Sequence, residues 1–293
     1  MIKIVIHIFP HEIKQYERVM HQLNKSCVNL DNSLIKIYCC LNLNKTVCRF
    51  ENSNHIIDFF QKINLKSKFS ITSTINTNSD FYGVNEHRRT CIKNASYEDC
   101  IIYLDCDLYF DTKLLGNTII NATKLSKKHK YFILTPECVR LWDTTWDCLV
   151  NEKFLKCHLN YCETADIISI TESPHGNIIL RENKSFKWAG GWFTCINAPL
   201  AKLVNIPDSF YGYGPDDTFM MECCKFLKTK DIDVVQYIQS GHIVCEDRTL
   251  IDKHERYYTK KINFRHNCNK SFYREYCFFK KRVTEDIFNI NEG

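Results

Sequence analysis

Residues 101–110 read IIYLDCDLYF. An apolar run, Ile101 to Leu104, has the character of a buried strand, and two carboxylates follow it, Asp105 and Asp107. Side chains two apart on a strand lie on one side of it, so the pattern predicts a pair of acids presented together at a strand's carboxyl end. Hard divalent cations take oxygen ligands, and Mg²⁺ in particular is held by one or two carboxylates completed by substrate phosphates. The spacing by itself says little, since Asp231-Ile232-Asp233 repeats it. That second pair lies among lysines after a helix and lacks the apolar run. The plainer alternative for Asp105 and Asp107 is a polar strand end with a turn.

Toward the N-terminus the chain alternates strand-like and helix-like segments. Ile2 to Phe9 is rich in β-branched residues and ends at Pro10. His11 to Asn24 has helical apolar spacing through Ile13, Tyr16, Met20 and Leu23. Leu34 to Leu43 is a second buried strand, Ile56 to Ile63 a short helix, and Phe69 to Thr74 a third strand. Tyr82 to Ala95 predicts a helix whose polar face carries Asn85, Arg88 and Arg89. Alternation of this kind points to an open, mostly parallel α/β sheet with helices on both faces. Such sheets bind ligands beyond the carboxyl ends of their strands.

Toward the C-terminus the pattern is less regular. Tyr131 to Thr135 and Val234 to Ile238 are strand-like. Between them, residues 186–197, FKWAGGWFTCIN, join two glycines to four aromatics. Gly190 and Gly191 allow close backbone approach to a ligand, and Trp188, Trp192 and Phe193 offer flat apolar faces suited to sugar rings. Residues 209–227, SFYGYGPDDTFMMECCKFL, run from a glycine-rich loop into a helix. Asp216 and Asp217 sit at that helix start, where its dipole favours carboxylates and where they can equally be plain caps. His242, in YIQSGHIVCED, closes a strand, with His266 as its rival for a ligand role. Arg88 and Arg89 either match a diphosphate bidentately or are solvated helix residues. The segment KSFYREYCFFKKR, 270–282, predicts a packed amphipathic helix with a basic outer face.

Composition bounds these readings. The chain has 293 residues, 44% hydrophobic and 25% charged, which describes a globular protein with one core or two joined halves. A net charge of +5 suits an anionic small substrate and is too small to argue for nucleic acid. No apolar stretch reaches the roughly 18 residues of a membrane span, and residues 1–12 read as a first strand rather than a signal peptide. Seventeen cysteines, an odd number, include the doublets Cys39-Cys40 and Cys223-Cys224 and no C-x-x-C pair. They suggest reduced thiols and a cytoplasmic setting, and they argue against a zinc module.

In order along the chain stand an early strand, a D-x-D after an apolar strand, a Gly-Gly-aromatic segment and a G-x-G-x-[DE]-D loop. This order resembles the GT-A glycosyltransferases, particularly inverting enzymes of the galactosyltransferase and N-acetylgalactosaminyltransferase-like group. The likeness spans roughly residues 1–245, with YLDCD, YGYGPDD and the helix GVNEHRRTCIKNA as its specific parts. It implies a GT-A, Rossmann-like catalytic domain over 1–250, divided into a nucleotide-sugar half, 1–110, and an acceptor half, 111–250. Residues 251–293 are then a basic, aromatic extension packed on it. The resemblance implies that Asp105 and Asp107 bind Mn²⁺ or Mg²⁺ and the donor diphosphate, with His242 as a further metal ligand. Phe9, Arg88 and Arg89 complete the donor side, and Trp188, Gly190, Gly191, Trp192 and Tyr213 the acceptor side. Asp217 is the implied general base and Asp216 holds acceptor hydroxyls. Asp rather than Glu at 216, preceded by Pro215, departs from the family pattern and leaves the order of the two acids open.

The expected partners are a nucleotide-sugar donor, a UDP-sugar by the resemblance, and a carbohydrate or glycoconjugate acceptor. Two rivals stand beside the transferase. A sugar nucleotidyltransferase would carry a glycine-rich phosphate loop after its first strand, where this chain has FPHEIKQYE. A non-catalytic carbohydrate-binding protein would share the site without turnover.

Overall fold

Every residue of Ile2–Ile8 (β1) is buried, as expected of a central parallel strand covered on both faces. The computed structural model describes residues 1–26, 31–43, 53–77, 83–141, 161–162, 177–184, 186, 193–210, 215–247 and 271–286. Within these, β1 pairs in parallel with Ile35–Asn42 (β2) on one side and Cys100–Asp105 (β4) on the other, and β2 pairs in parallel with Ser70–Asn76 (β3). Leu108–Tyr109 (β5), Tyr131–Leu141 (β6), Tyr161–Cys162 (β7), Ile179–Glu182 (β8), Phe193–Asn197 (β9) and Val234–Asp247 (β10) complete the sheet. Its order is β3-β2-β1-β4-β9-β6-β10-β5, with β7 beside β6 and β8 beside β10.

The expectation of a mostly parallel sheet holds for the first four strands. The rest is mixed: β9 runs antiparallel to both β4 and β6, and β10 is parallel to β6 but antiparallel to β5 and β8. The sheet therefore continues across residue 110 without a break.

Strand alternation sends even-numbered residues of β1 and β4 to one face and odd-numbered ones to the other. Ile4, Ile6, Ile102 and Leu104 pack under the helices Ile13–Ser26 (α1), Ser53–Leu65 (α2) and Leu114–Ser126 (α4). In α1 the buried residues Tyr16, Val19, Met20 and Leu23 follow helical spacing. Truncating one of them, Leu23→Ala, costs about 2–5 kcal/mol by the usual core cavity effect. On the opposite face Val5, Ile101 and Tyr103 pack against Val84–Lys93 (α3), Ala198–Val204 (α5), Asp216–Thr229 (α6) and a helix over residues 271–286 (α7).

The basic segment near the C-terminus thus forms the predicted amphipathic helix over its described part. Phe279 and Val283 are buried in this second core, and Phe272 stacks on Phe210 with centroids 6.3 Å apart. Cys39, Cys40, Cys91, Cys100, Cys195, Cys223 and Cys224 are free and buried, and Cys277 is free and half-buried. Among the described residues no helix is long and apolar enough to cross a membrane.

Candidate functional site

Asp105 is the last residue of β4 and the first that is not fully buried. It is in register with His7 of β1, so both lie at the carboxyl edge of the parallel half. Being odd-numbered, it shares the face of Tyr103 and looks toward α3 and α6. The strand stops there. Cys106 and Asp107 form a turn, and the chain re-enters the sheet as β5 beside β10. The period-two expectation for the acid pair is corrected accordingly, because Asp107 belongs to a turn and is 3% exposed. Cys106 is tucked under this turn, its thiol donating to the His7 carbonyl at 2.8 Å.

Arg88 organises the site. α3 begins after Gly83, at φ +65°, and turns Asn85, Arg88 and Arg89 inward, so the expected polar outer face is buried. From the middle of α3 the Arg88 guanidinium donates through Nη2 to Asp105 Oδ1 at 3.2 Å and through Nη1 to Asp216 Oδ2 at 2.7 Å. Its Cζ lies 4.9 Å from the centroid of the Tyr103 ring. Burial alone would favour the neutral form, but Asp216 and Asp105 outweigh it and hold Arg88 firmly protonated. Burial also pushes the Tyr103 phenol up, against the pull of Arg88.

The two acids at the start of α6 differ. Asp216 is 8% exposed and committed to Arg88. Asp217 is half-buried, and its Oδ1 accepts from the Thr218 backbone N–H at 2.6 Å. Both line a cleft with Arg88. Most of its remaining wall is apolar, from Tyr103 and Ile196 of the sheet, Ala201 and Val204 of α5, and Met220 of α6.

Two sequence expectations need correction. Arg89 is engaged within the 206–210 turn: its Nε donates to the Ile206 carbonyl at 2.9 Å and lies 3.1 Å from Asp208 Oδ1, and its Nη2 donates to the carbonyls of Pro207 and Phe210 at 2.6 and 3.2 Å. It holds the 206–210 turn that leads toward the acidic pair. His242 is held by protein partners. It is fully buried at a bulge in β10, with Nδ1 2.6 Å from Asp111 Oδ2 and Nε2 2.8 Å from Asn117 Nδ2. A ring that donates through Nδ1 and accepts through Nε2 has no lone pair left for a cation. Phe9 is buried at the end of β1, edge-on to His7. Trp188, Gly190, Gly191, Trp192, Tyr213 and the rival His266 lie outside the described residues.

Sequence reasoning missed Asn205. It caps α5 at φ 54° and ψ 162°, a conformation nearly restricted to glycine, lines the cleft, and has a buried Oδ1 with no hydrogen-bond partner. The string Leu-Val-Asn-Ile-Pro was the available signal, since Asn followed closely by Pro marks a helix end.

Among the described residues no three or more His, Cys, Asp or Glu side chains gather as a metal centre. The donor chemistry of Asp105 and Asp107 still fits a hard divalent ion completed by phosphate and water.

No protein-family model matches the chain, and no curated protein matches it in sequence. Solved structures do match in three dimensions. GalNAc-T7, solved with UDP, GalNAc and Mn²⁺, is 12% identical with a TM-score of 0.50, over 85% of this chain and 43% of that one. TarS 1–349 of S. aureus is 11% identical with a TM-score of 0.45, over 88% and 62%. Its complex with UDP-GlcNAc gives 9% identity and 0.48, over 84% and 58%. The chain thus spans between 43% and 62% of the length of these proteins. With a D-x-D turn at the carboxyl edge of a parallel half-sheet in the order β3-β2-β1-β4, the chain has the GT-A fold.

Proposed function

We propose that the protein is a divalent-metal-dependent glycosyltransferase, moving a hexosyl group from a UDP-sugar to an acceptor hydroxyl with inversion. The observation that carries this reading is the double contact of Arg88. One buried guanidinium joins the acid that ends β4 to the acid that opens α6, so two motifs far apart in sequence share one site.

Asp105 and Asp107 would hold Mn²⁺ or Mg²⁺ without His242. When bound, that ion supplies positive charge against the departing diphosphate. The Mn²⁺ in the GalNAc-T7 structure supports this choice. Asp217 takes the proton of the acceptor hydroxyl, whose oxygen attacks the anomeric carbon. The bond from that carbon to the diphosphate oxygen breaks on the opposite face, and its electron pair leaves with the nucleoside diphosphate. Asp217 suits the base role better than Asp216, whose carboxylate is taken up by the buried Arg88 guanidinium. Asp216 instead positions Arg88 between the two ends of the site. The free, buried thiols support a reducing, cytoplasmic setting.

The test is incubation of the purified protein with a panel of nucleotide sugars and Mn²⁺, reading nucleoside diphosphate. Its release from one donor, lost in Asp107→Asn, is the expected result. Pyrophosphate-dependent exchange of the nucleotide would indicate a nucleotidyltransferase. Binding of a donor without any turnover would leave a non-catalytic binder.

A further inference from the structure

We propose that β3 is a dimerisation edge, where β3 of a second copy of this chain pairs antiparallel about a two-fold axis at Ser73. The inference stands on the sequence and exposure of this strand, and it is independent of the chemistry at Arg88.

β3 ends the sheet, and among the described residues it pairs only with β2. The outer side of an end strand offers its backbone N–H and C=O groups to a further strand, and such edges are usually guarded by a lysine, a proline or a bulge. β3 carries no such guard. Residues 70–76 read SITSTIN, without charge or proline, and they keep register with β2 over the whole strand. Ser70, Thr72, Ser73, Thr74 and Ile75 are exposed.

The order of the residues says which partner fits. Residues 71–75, Ile-Thr-Ser-Thr-Ile, read the same in both directions. An antiparallel copy centred on Ser73 therefore sets Ile71 opposite Ile75, Thr72 opposite Thr74, and Ser73 opposite its own counterpart. Thr–Thr pairs are among the favourable cross-strand contacts, and a two-fold interface requires this self-complementarity. The faces match as well. Ile71, Ser73 and Ile75 lie on the side of Ile37, Cys39 and Leu41, whose core α2 covers. An axis perpendicular to the sheet keeps that side common to both copies.

Charge selects the antiparallel sense. The nearest charged residue in sequence is Lys68, just ahead of the strand. Parallel pairing in register would set it against its own counterpart. Antiparallel pairing holds the two about 33 Å apart, ten residues at roughly 3.3 Å each.

A seven-residue strand falls short of the roughly 20–30 residues a side of a standard interface, so the dimer forms at micromolar concentration. Pairing uses up this edge on both copies, and growth stops at two. The carboxyl edges of the two parallel half-sheets then point in opposite directions, which puts the two Arg88–Asp216 sites on opposite sides of the axis.

Sedimentation velocity of the full chain from about 1 to about 200 μM, at fixed ionic strength, tests this. Wild type is expected to pass from monomer to dimer over that range. Thr72→Lys combined with Thr74→Lys sets two like-charge pairs across the axis and should weaken the dimer about tenfold or more. Thr72→Lys combined with Thr74→Glu changes the same two exposed residues but sets lysine opposite glutamate, and should dimerise about as well as wild type. Thermal melts confirm that both variants are folded. A wild-type monomer throughout, an assembly larger than two, a dimer that both variants keep, or one that both lose overturns the proposal.

Discussion

The guanidinium of Arg88 meets the carboxylate of Asp216 at 2.7 Å, and the two side chains are 8% and 9% exposed. A pair this buried stands or falls together, because either partner alone is an uncompensated charge in a medium that solvates it poorly. Its mechanical effect is to lock α3 against the first turn of α6. Through the second contact, to Asp105, the same lock extends to the end of β4.

Arg88→Ala should therefore destabilise the protein by about 3–5 kcal/mol, the usual cost of orphaning a buried ion pair. Arg88→Lys keeps the charge but loses the fork that reaches two acids at once, and should fall between. Urea midpoints at constant m measure both. A loss below ~1 kcal/mol for the alanine variant, the range of exposed ion pairs, would mean the bridge is not structural.

His242→Ala removes the partner of both Asp111 and Asn117 in a fully buried setting. A stability loss of about 2–5 kcal/mol is expected, since each stranded buried group costs about 1–3 kcal/mol. The Mn²⁺ concentration for half-maximal activity of the folded variant should not move. A raised metal requirement at unchanged stability would return His242 to the metal.

Asp217→Asn should lower transfer by about 10²- to 10⁴-fold, the ordinary contribution of a general base. Donor affinity in Mn²⁺ should stay near wild type, because the D-x-D turn is untouched. Asp216→Asn should instead behave like a weakened Arg88 variant, losing stability along with activity. Retention of anomeric configuration in the product, read from NMR coupling constants, would remove the single displacement and with it the role of Asp217.

Asp99 accepts Lys3 Nζ at 3.1 Å and the N-terminal ammonium at 3.2 Å. Burial pushes its carboxyl up, but the Ser96 N–H, Lys3 and the N-terminus outweigh this and hold it below its ordinary value of 3.8. A lowered folded value means a stabilisation fully present above the unfolded value and lost as pH falls through the folded one. Wild type and Asp99→Asn should therefore differ in urea midpoint by a constant amount above the ordinary carboxylate range and converge as the pH falls below it. A gap that widens on acidification would reverse the assigned sign.

The elements most readable in the sequence were those whose burial follows from local pattern. β4 is a continuous apolar run up to Asp105, β1 and β2 are apolar runs broken only by Lys3, His7, Lys36 and Asn42, and α1 and α3 fell within two residues of their expected ends. Pairing was less readable, because it depends on partners remote in sequence. Nothing local to FTCIN marks β9 as the antiparallel strand between β4 and β6. Arg88 and Arg89 are adjacent, yet about 100° of helical rotation sends one to the acids and the other to a carbonyl turn. His242 looked like a ligand at a strand end because its two partners, Asp111 and Asn117, lie far away in an unremarkable stretch. The D-x-D motif was found by pattern while its geometry was not, since a turn replaced the second half of the expected strand.

The two-residue strand β5 carries one more consequence. Among the described residues it pairs only with β10, through Tyr109 with Cys245 and Leu108 with Glu246. The four strands β3-β2-β1-β4 are complete once residue 105 has left the ribosome, and such a unit can begin to collapse during synthesis. The far side of the turn bearing Asp105 and Asp107 is held by α1, whose Arg18 and Gln22 donate to the carbonyls of Leu108 and Phe110 at 3.2 and 3.0 Å, but its partner in the sheet comes only some 140 residues later. A nascent chain thus has its scaffold and one hold on the acidic turn early, and a fragment stopping short of β10 would carry the motif without the strand that pairs with β5.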